Sequence, residues 1–451
     1  MGTAHDRTAK TVRQAELSQS RTKRNGGQPK ATAGFAARAS ALSQLQAVLD
    51  NGRQLEESAG NGSPADRAQA RGLADLTLRR LGQIDDLLMR FVDRPPKSAG
   101  QHILRLMTAE LVFNQTSPHA AVDIAVRLAK SNASTRRLSG LINAVGRRLA
   151  EQGADIVATQ DAAELNMPDW LADRLAEDWG PATARAIATA HLEPAPHDLT
   201  LRNPADGEAL AQELRGTILP NGSLRLSDRP QISALPGYSE GAWWVQDAAA
   251  AIPAALTRAG PGKRVLDLCA APGGKTMQLA ATGADVTALD VSQRRLKRLA
   301  QNLDRTGLSA ATVVADALSW QPDAPFDAIL LDAPCSATGT IRRHPDLPHR
   351  GEHIDFGALL ELQQSLLRKA AGWLAPGGTL IYCTCSLFRS EGEDQIAQVL
   401  QGSPASVDPI TTDDGVPDEM ITEQGYFRSG PHQWHNIGGV DGFFAARLKL
   451  N

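Results

Sequence analysis

Cysteine is scarce in this 451-residue chain and confined to one part of it: none precedes Cys269, and Cys335, Cys383 and Cys385 complete the set. That scarcity excludes a disulfide framework. No Cys-x-x-Cys pair is present, and no metal site is expected. Long apolar runs are also missing. Nothing approaches the roughly 20 residues that span a bilayer, and the polar, basic N-terminus lacks the apolar core of a secretion signal. A cytoplasmic chain with no membrane partner is therefore expected. Excess charge of one sign is lacking too, with a formal net charge of -3. That value does not announce a nucleic-acid binder, but the charge is unevenly placed. Residues 1–30 carry Arg7, Lys10, Arg13, Arg21, Lys23, Arg24 and Lys30 against Asp6 and Glu16. Basic pairs or clusters recur at Arg136–Arg137, Arg147–Arg148, 294–298 and Arg342–Arg343. Local patches of this kind can bind phosphates on a slightly acidic chain.

A composition of 42% hydrophobic and 22% charged residues is a soluble, globular balance. The length exceeds one ordinary core and predicts two or three domains. Residues 1–30 read as a disordered basic arm. From 31 to 150 the pattern is helical: Ile103, Met107 and Leu111 share one helix face, and 84–92, 120–130 and 138–149 behave alike. An all-α domain of five or six helices is expected, with loops at 52–64 and 93–100. Residues 151–245 read as a helical linker followed by a small α+β extension. From 246 to 451 short apolar runs at 264–269, 285–290, 311–315, 326–332 and 379–383 alternate with helical stretches such as 293–305 and 357–374. Buried strands alternating with helices imply a mostly parallel, Rossmann-like α/β sheet. Ligands of such sheets sit at the carboxyl ends of the strands. Cys269, Asp290, Asp316, Asp332 and Cys385 all fall at those ends.

The segment Asp267-Leu-Cys-Ala-Ala-Pro-Gly-Gly-Lys-Thr276 leaves the first of these strands and opens a helix. A phosphate-binding Walker loop would need glycine where Cys269 stands, and a Gly-x-Gly-x-x-Gly fingerprint is absent. The remaining reading is a loop for S-adenosylmethionine. Cys269, Ala270, Ala271, Pro272, Gly273, Gly274 and Lys275 would form it, because small residues admit a ligand close to the backbone. Asp290 is placed to hold ribose hydroxyls, and Asp316 to meet the adenine end.

Cys335 and Cys385 stand at neighbouring strand ends, in Asp332-Ala-Pro-Cys-Ser336 and Thr384-Cys-Ser386. Two such thiols suit covalent work on a pyrimidine. Cytosine C5 is a poor nucleophile until a thiolate adds to C6. An acid near the ring nitrogen would stabilise the adduct, and Asp332 is placed to do that. Cys383, inside a strand, reads as an inert core residue. The residues alone leave the choice between Cys335 and Cys385 open.

Residues 196–451 resemble the Sun (Fmu) family of RNA cytosine-5 methyltransferases, through Asp267–Thr276, Asp290, Asp316, 331–339, 341–346, 382–387 and Asp441-Gly-Phe-Phe-Ala-Ala-Arg447. Residues 34–150 resemble the helical domain of the antitermination factor NusB, with Ser139-Gly-Leu-Ile-Asn-Ala-Val145 near its end. The resemblance implies that Cys385 attacks, that Cys335 assists release, and that 269–275, Asp290, Asp316 and Asp332 line the cofactor site. It also implies RNA as partner, 16S rRNA or a small-subunit assembly intermediate, with a monomer expected. Ala337 stands where the family usually has glycine, and Cys383 and 349–355 also depart from its pattern. A non-enzymatic RNA-binding or antitermination-like factor is the competing class. A tRNA cytosine-5 or uracil-5 enzyme is the nearest chemical competitor. An adenine amino-methylating enzyme would want Asn/Asp-Pro-Pro-Tyr/Phe where Asp332-Ala-Pro-Cys335 stands.

Overall fold

The computed structural model describes residues 34–55, 62–401 and 405–450. The basic arm expected at 1–30 lies outside the described residues. The N-terminal part is built from α1 (Phe35–Leu49), α2 (Pro64–Arg79), α3 (Leu81–Met89), α4 (Ala99–Thr108), α5 (Pro118–Ser131) and α6 (Ser139–Val157). Local signals set several of the ends. Ser63 caps α2 by accepting from Asp66 N at 3.1 Å, and the Asp66 carboxylate accepts from Ser63 N at 3.2 Å, with Pro64 in the first turn. α4 runs on into a π-helical turn, Ala109–Phe113. Ile103 and Met107 bury the face expected of them, against Leu45, Leu87 and Ile142. Leu111 packs at the edge of that core. α6 continues to Val157, seven residues past the 150 boundary drawn from the pattern.

Three further helices, α7 (Ala162–Leu165), α8 (Asp169–Trp179) and α9 (Pro181–His191), lead to the small extension. This holds β1 (Asp198–Leu201), α10 (Gly207–Leu214), β2 (Gly216–Ile218), β3 (Leu224–Leu226) and β4 (Trp243–Val245). The strands form an antiparallel sheet of order β2-β3-β1-β4.

The C-terminal part runs α11 (Ala248–Leu256), β5 (Arg264–Leu268), α12 (Gly274–Ala281), β6 (Asp285–Asp290), α13 (Gln293–Thr306), β7 (Ala311–Val314), β8 (Phe326–Asp332), α14 (Phe356–Ala371), β9 (Leu374–Thr384), α15 (Glu393–Leu400), β10 (Ala405–Val407), β11 (Phe427–Ser429) and β12 (Phe443–Leu450). The sheet order is β10-β12-β9-β8-β5-β6-β7, with β11 beside β12. Strands β5 to β9 pair in parallel, as their unbroken apolar character predicts. The antiparallel edge of β10, β11 and β12 was not expected from the apolar runs. Strand order reverses at β5, between β6 and β8, so the crevice outside its carboxyl end is the topological site for a ligand.

The 341–354 segment, between β8 and α14, docks on the helical part. Leu55 N donates to Asp346 Oδ2 at 3.3 Å, Arg350 Nε to the Gly52 carbonyl at 2.9 Å, and Arg79 Nη2 to the Arg342 carbonyl at 2.9 Å. One expectation is corrected here. Arg342–Arg343 is not a surface phosphate patch. Arg342 is buried and donates to the carbonyls of Glu193, Pro194 and Gly438. Arg343 spans the carboxylates of Asp247 and Asp441, at 2.6 Å each. Burial turns both arginines into braces, whereas Arg136, Arg137, Arg147, Arg148, Arg294, Lys297 and Arg298 remain exposed.

Within the helical part, buried Arg38 pairs with buried Glu110 at 2.5 Å. Arg38→Met removes the cation and strands the carboxylate, so unfolding in urea should show a loss of about 3–5 kcal/mol. A change under about 1 kcal/mol, the scale of an exposed pair, would show that the pair carries no such weight.

Candidate active site

The loop after β5 is drawn tight by its own residues. Cys269 has a left-handed backbone, φ 64°, and Ala270 N donates to the Leu289 carbonyl at 3.1 Å. Ala271 N donates to Asp290 Oδ2 at 3.1 Å, and Ser292 N donates to Asp290 Oδ1 at 2.8 Å. Asp290 is thus buried at the end of β6 and ties that strand to the loop. Arg295 reaches back to the Ala271 carbonyl, and Asn302 Nδ2 to that of Pro272 at 3.0 Å. Gly273 sits at φ 104° at the N-cap of α12; a Cβ there would meet Leu299 at 2.8 Å. This position requires glycine.

Beneath the loop, Asp267 is fully enclosed. Its Oδ2 accepts from the Thr276 hydroxyl at 2.6 Å. Among the described residues, its Oδ1 has no hydrogen-bond partner. Burial first, and the charge of Asp332 after it, push this carboxyl up to about 7. Lys275 is also buried, and its Nζ lies 2.9 Å from Asp332 Oδ2 and 5.0 Å from the centre of the Phe443 ring. Burial works against the Lys275 ammonium, but Asp332 outweighs it and holds the group above its ordinary value. Asp332 ends β8 and is partly exposed. Its Oδ1 lies 3.6 Å from Cys383 Sγ. Asp316, two residues beyond β7, is exposed and accepts from Leu318 N at 2.9 Å.

β8 and β9 deliver the two cysteines. Register pairs Leu331 with Tyr382 and Asp332 with Cys383. The chains leaving those ends bring Cys335 Sγ within 3.4 Å of Cys385 Sγ. Gly339 N donates to the Cys385 carbonyl at 2.9 Å, and Gly442 N to the Gly339 carbonyl at 2.9 Å. A Cβ on Gly339 would fall 1.9 Å from the Gly442 oxygen, so the closing segment presses directly on the Pro-Cys loop. Ala337 takes a left-handed backbone, φ 58°. That conformation favours glycine, which gives the family's usual residue there a physical reason. The Cys335 thiol is held well above its ordinary range, by its hydrogen bond with Cys385 and by burial. Burial does the same to Cys383 and lifts Cys269 to about 12.

The two cysteines, Asp332 and the 269–275 loop therefore share one crevice edge, while Asp290 and Asp316 sit at the ends of the adjoining strands. Three contributors carried no visible signal. Glu391, buried behind the cysteines, lies in an acidic stretch that reads as surface. Ser336 and Ser386 read as loop residues. Among the described residues, no group of three or more His, Cys, Asp or Glu side chains is arranged to hold a metal. Nor, among them, is any helix long and apolar enough to cross a membrane.

Residues 255–449 match the model of the 16S rRNA methyltransferase RsmB/F family, and residues 36–151 match that of the NusB family. The ribosomal RNA small subunit methyltransferase B of Xylella fastidiosa is 36% identical over 436 residues, 92% of this chain and 98% of its own. The chain belongs to the RsmB/F family. The protein of the same description from Salmonella paratyphi B is also 36% identical, over 85% of this chain and 90% of its own. Among solved structures, PH0851 superposes with a TM-score of 0.70 at 24% identity, over 92% of this chain and 98% of that one. A methyltransferase homologue from Pyrococcus horikoshii gives a TM-score of 0.52 at 28% identity, over 62% of this chain and 94% of that one. The chain thus sets a NusB-family helical domain before a Rossmann-like methyltransferase domain.

The raised carboxyl of Asp267 predicts a pH effect on stability. The folded chain keeps its proton between pH about 4 and about 7, where the unfolded chain has released it. That contribution is full below pH about 4 and is lost as pH rises through about 7. Asp267→Asn cannot titrate, so its urea midpoint should depend less on pH across 5–8 than that of the native chain. Parallel profiles for the two proteins would refute the assignment.

Proposed function

We propose that this chain methylates C5 of a cytosine in small-subunit rRNA, using S-adenosylmethionine and a covalent adduct through Cys385. The observation that carries this reading is the 3.4 Å approach of Cys335 and Cys385 beside Asp332, at the crevice edge of a family methyltransferase domain. The cofactor site fits its ligand chemically. Val291 and Val314 are exposed at 70% and 54%, at the carboxyl ends of β6 and β7, and offer an apolar face to an adenine ring. Asp290 between them has lone pairs left for ribose hydroxyls. The small residues of 269–274 leave the backbone approachable, and Lys275 closes the loop toward Asp332. S-adenosylmethionine, when bound, supplies an electrophilic methyl group.

The thiolate of Cys385 forms a bond to C6 of the cytosine, and the C5–C6 π electrons make C5 nucleophilic. The proton that Cys385 releases on ionising passes through solvent to N3, where it offsets the negative charge that spreads there. Asp332, ion-paired with Lys275, accepts a hydrogen bond from the resulting N3–H. Lys275 fixes that carboxylate in place. Once C5 carries the methyl group, a solvent water at the crevice takes its proton. The electrons of that C–H bond restore C5=C6 and expel the Cys385 thiolate. Cys335 stands next to the leaving sulfur and assists this elimination. The exposed arginines of the helical domain and of α13 would meet the RNA phosphates.

Two substitutions test these roles. Cys385→Ala should bind S-adenosylmethionine by calorimetry yet lose methyl transfer by at least 1,000-fold, about 4 kcal/mol of barrier; full turnover would remove its role. Cys335→Ala should instead accumulate a protein–RNA adduct that migrates slowly in a denaturing gel. If turnover proceeds with no such band, the release role fails.

A further inference from the structure

Behind the two thiols lies a carboxylate that the chemistry above does not use. Glu391 follows β9 and is 0% exposed. Its Oε1 accepts from Ser336 N at 2.8 Å and from Gln363 Nε2 at 3.0 Å. Its Oε2 accepts from the hydroxyls of Ser336 and Ser386, each at 2.5 Å. Ser336 is the residue after Cys335, and Ser386 is the residue after Cys385. Gln363, on α14, also donates to the carbonyl of Pro334, the residue before Cys335, at 2.9 Å. The Glu391 carbonyl in turn accepts from the Tyr382 hydroxyl at 2.9 Å. A buried carboxylate is costly unless its lone pairs are filled. Here four neutral donors fill them, and three of the four belong to the two cysteine loops.

We propose that Glu391 is the positioning residue that holds Cys335 and Cys385 at their working separation. This rests on the two-cysteine reading above. The carboxylate pins each loop by the residue next to its thiol, so neither sulfur can swing away without breaking a charge-assisted bond. Its negative charge adds to the hydrogen bond with Cys385 and the burial that hold the Cys335 thiol well above its ordinary range.

The test uses the full-length chain. Glu391→Gln keeps the shape, removes the charge and sets an amide N–H₂ against donors. Three quantities are measured: S-adenosylmethionine binding by calorimetry, single-turnover methyl transfer to 16S rRNA, and the pH midpoint for alkylation of Cys335 by iodoacetamide, read on its own peptide by mass spectrometry. Cofactor Kd within twofold of native, transfer slowed at least tenfold and a lowered Cys335 midpoint are expected. Glu391→Asp keeps the charge but shortens the reach, so it should slow transfer while leaving the midpoint near native. Transfer by Glu391→Gln within twofold of native overturns the proposal, and so does an unmoved midpoint. If Glu391→Gln does not fold, Ser386→Ala deletes one donor without adding another. It should slow transfer at least threefold with cofactor Kd unchanged, and a native rate overturns the proposal. The alkylation midpoint needs no methyl transfer, so this proposal can fail while the two-cysteine chemistry stands, and the reverse.

Discussion

The parallel pairing of β8 with β9 is the constraint on which the site depends. Register sets Leu331 against Tyr382 and Asp332 against Cys383, so both strands end on the same edge of the sheet. Parallel strands emerge in one direction, and two loops fifty residues apart in sequence must therefore share a crevice. A slip of one residue would turn every side chain of one strand to the opposite face. Asp332 would then lose Lys275, and the thiols would no longer meet. Leu331, Tyr382 and Cys383 are fully enclosed, so burial on both faces specifies the register strongly.

Charge at the carboxyl-end rim of this sheet is compensated there. Lys275 and Asp332 pair across the ends of α12 and β8, and Asp290 is bound by two backbone N–H groups. Arg343 bridges Asp247 and Asp441, which ties the segment after the Pro-Cys loop to the start of α11 and to the closing strand. Each link fastens a loop at this edge to a neighbouring element of the fold. The helical domain joins the same scheme. Through Gly52, Leu55, Leu78 and Arg79 it holds the 341–354 segment, which begins just after the Cys335 loop. The helical domain is thereby mechanically continuous with the cysteine loops.

The helices and the parallel strands were legible because burial imposes a period. β6 and β8 begin and end where the apolar runs do, and α13 departs by one residue. The edge strands β10 to β12 escaped because short antiparallel edges at 405–407 and 427–429 carry little pattern, and Phe443–Leu450 mixes apolar with charged residues. Its Arg447 is buried against Asp408 and Asp414, a pairing that only the fold supplies. Arg342 and Arg343 show the same limit from the other side. A basic pair looks alike in sequence whether it faces solvent or bridges two buried carboxylates.

For the site, local chemistry told which residues could act. The small-residue loop after β5, the acids at strand ends and the two loop cysteines are properties of short segments, and short segments are what a sequence displays. Which groups meet was decided by tertiary structure, because their distances follow from strand order and register. Only the fold brings Lys275 to Asp332, sets Cys335 beside Cys385, and places Glu391, one acid among several in its stretch, where it can bind the residue after each thiol.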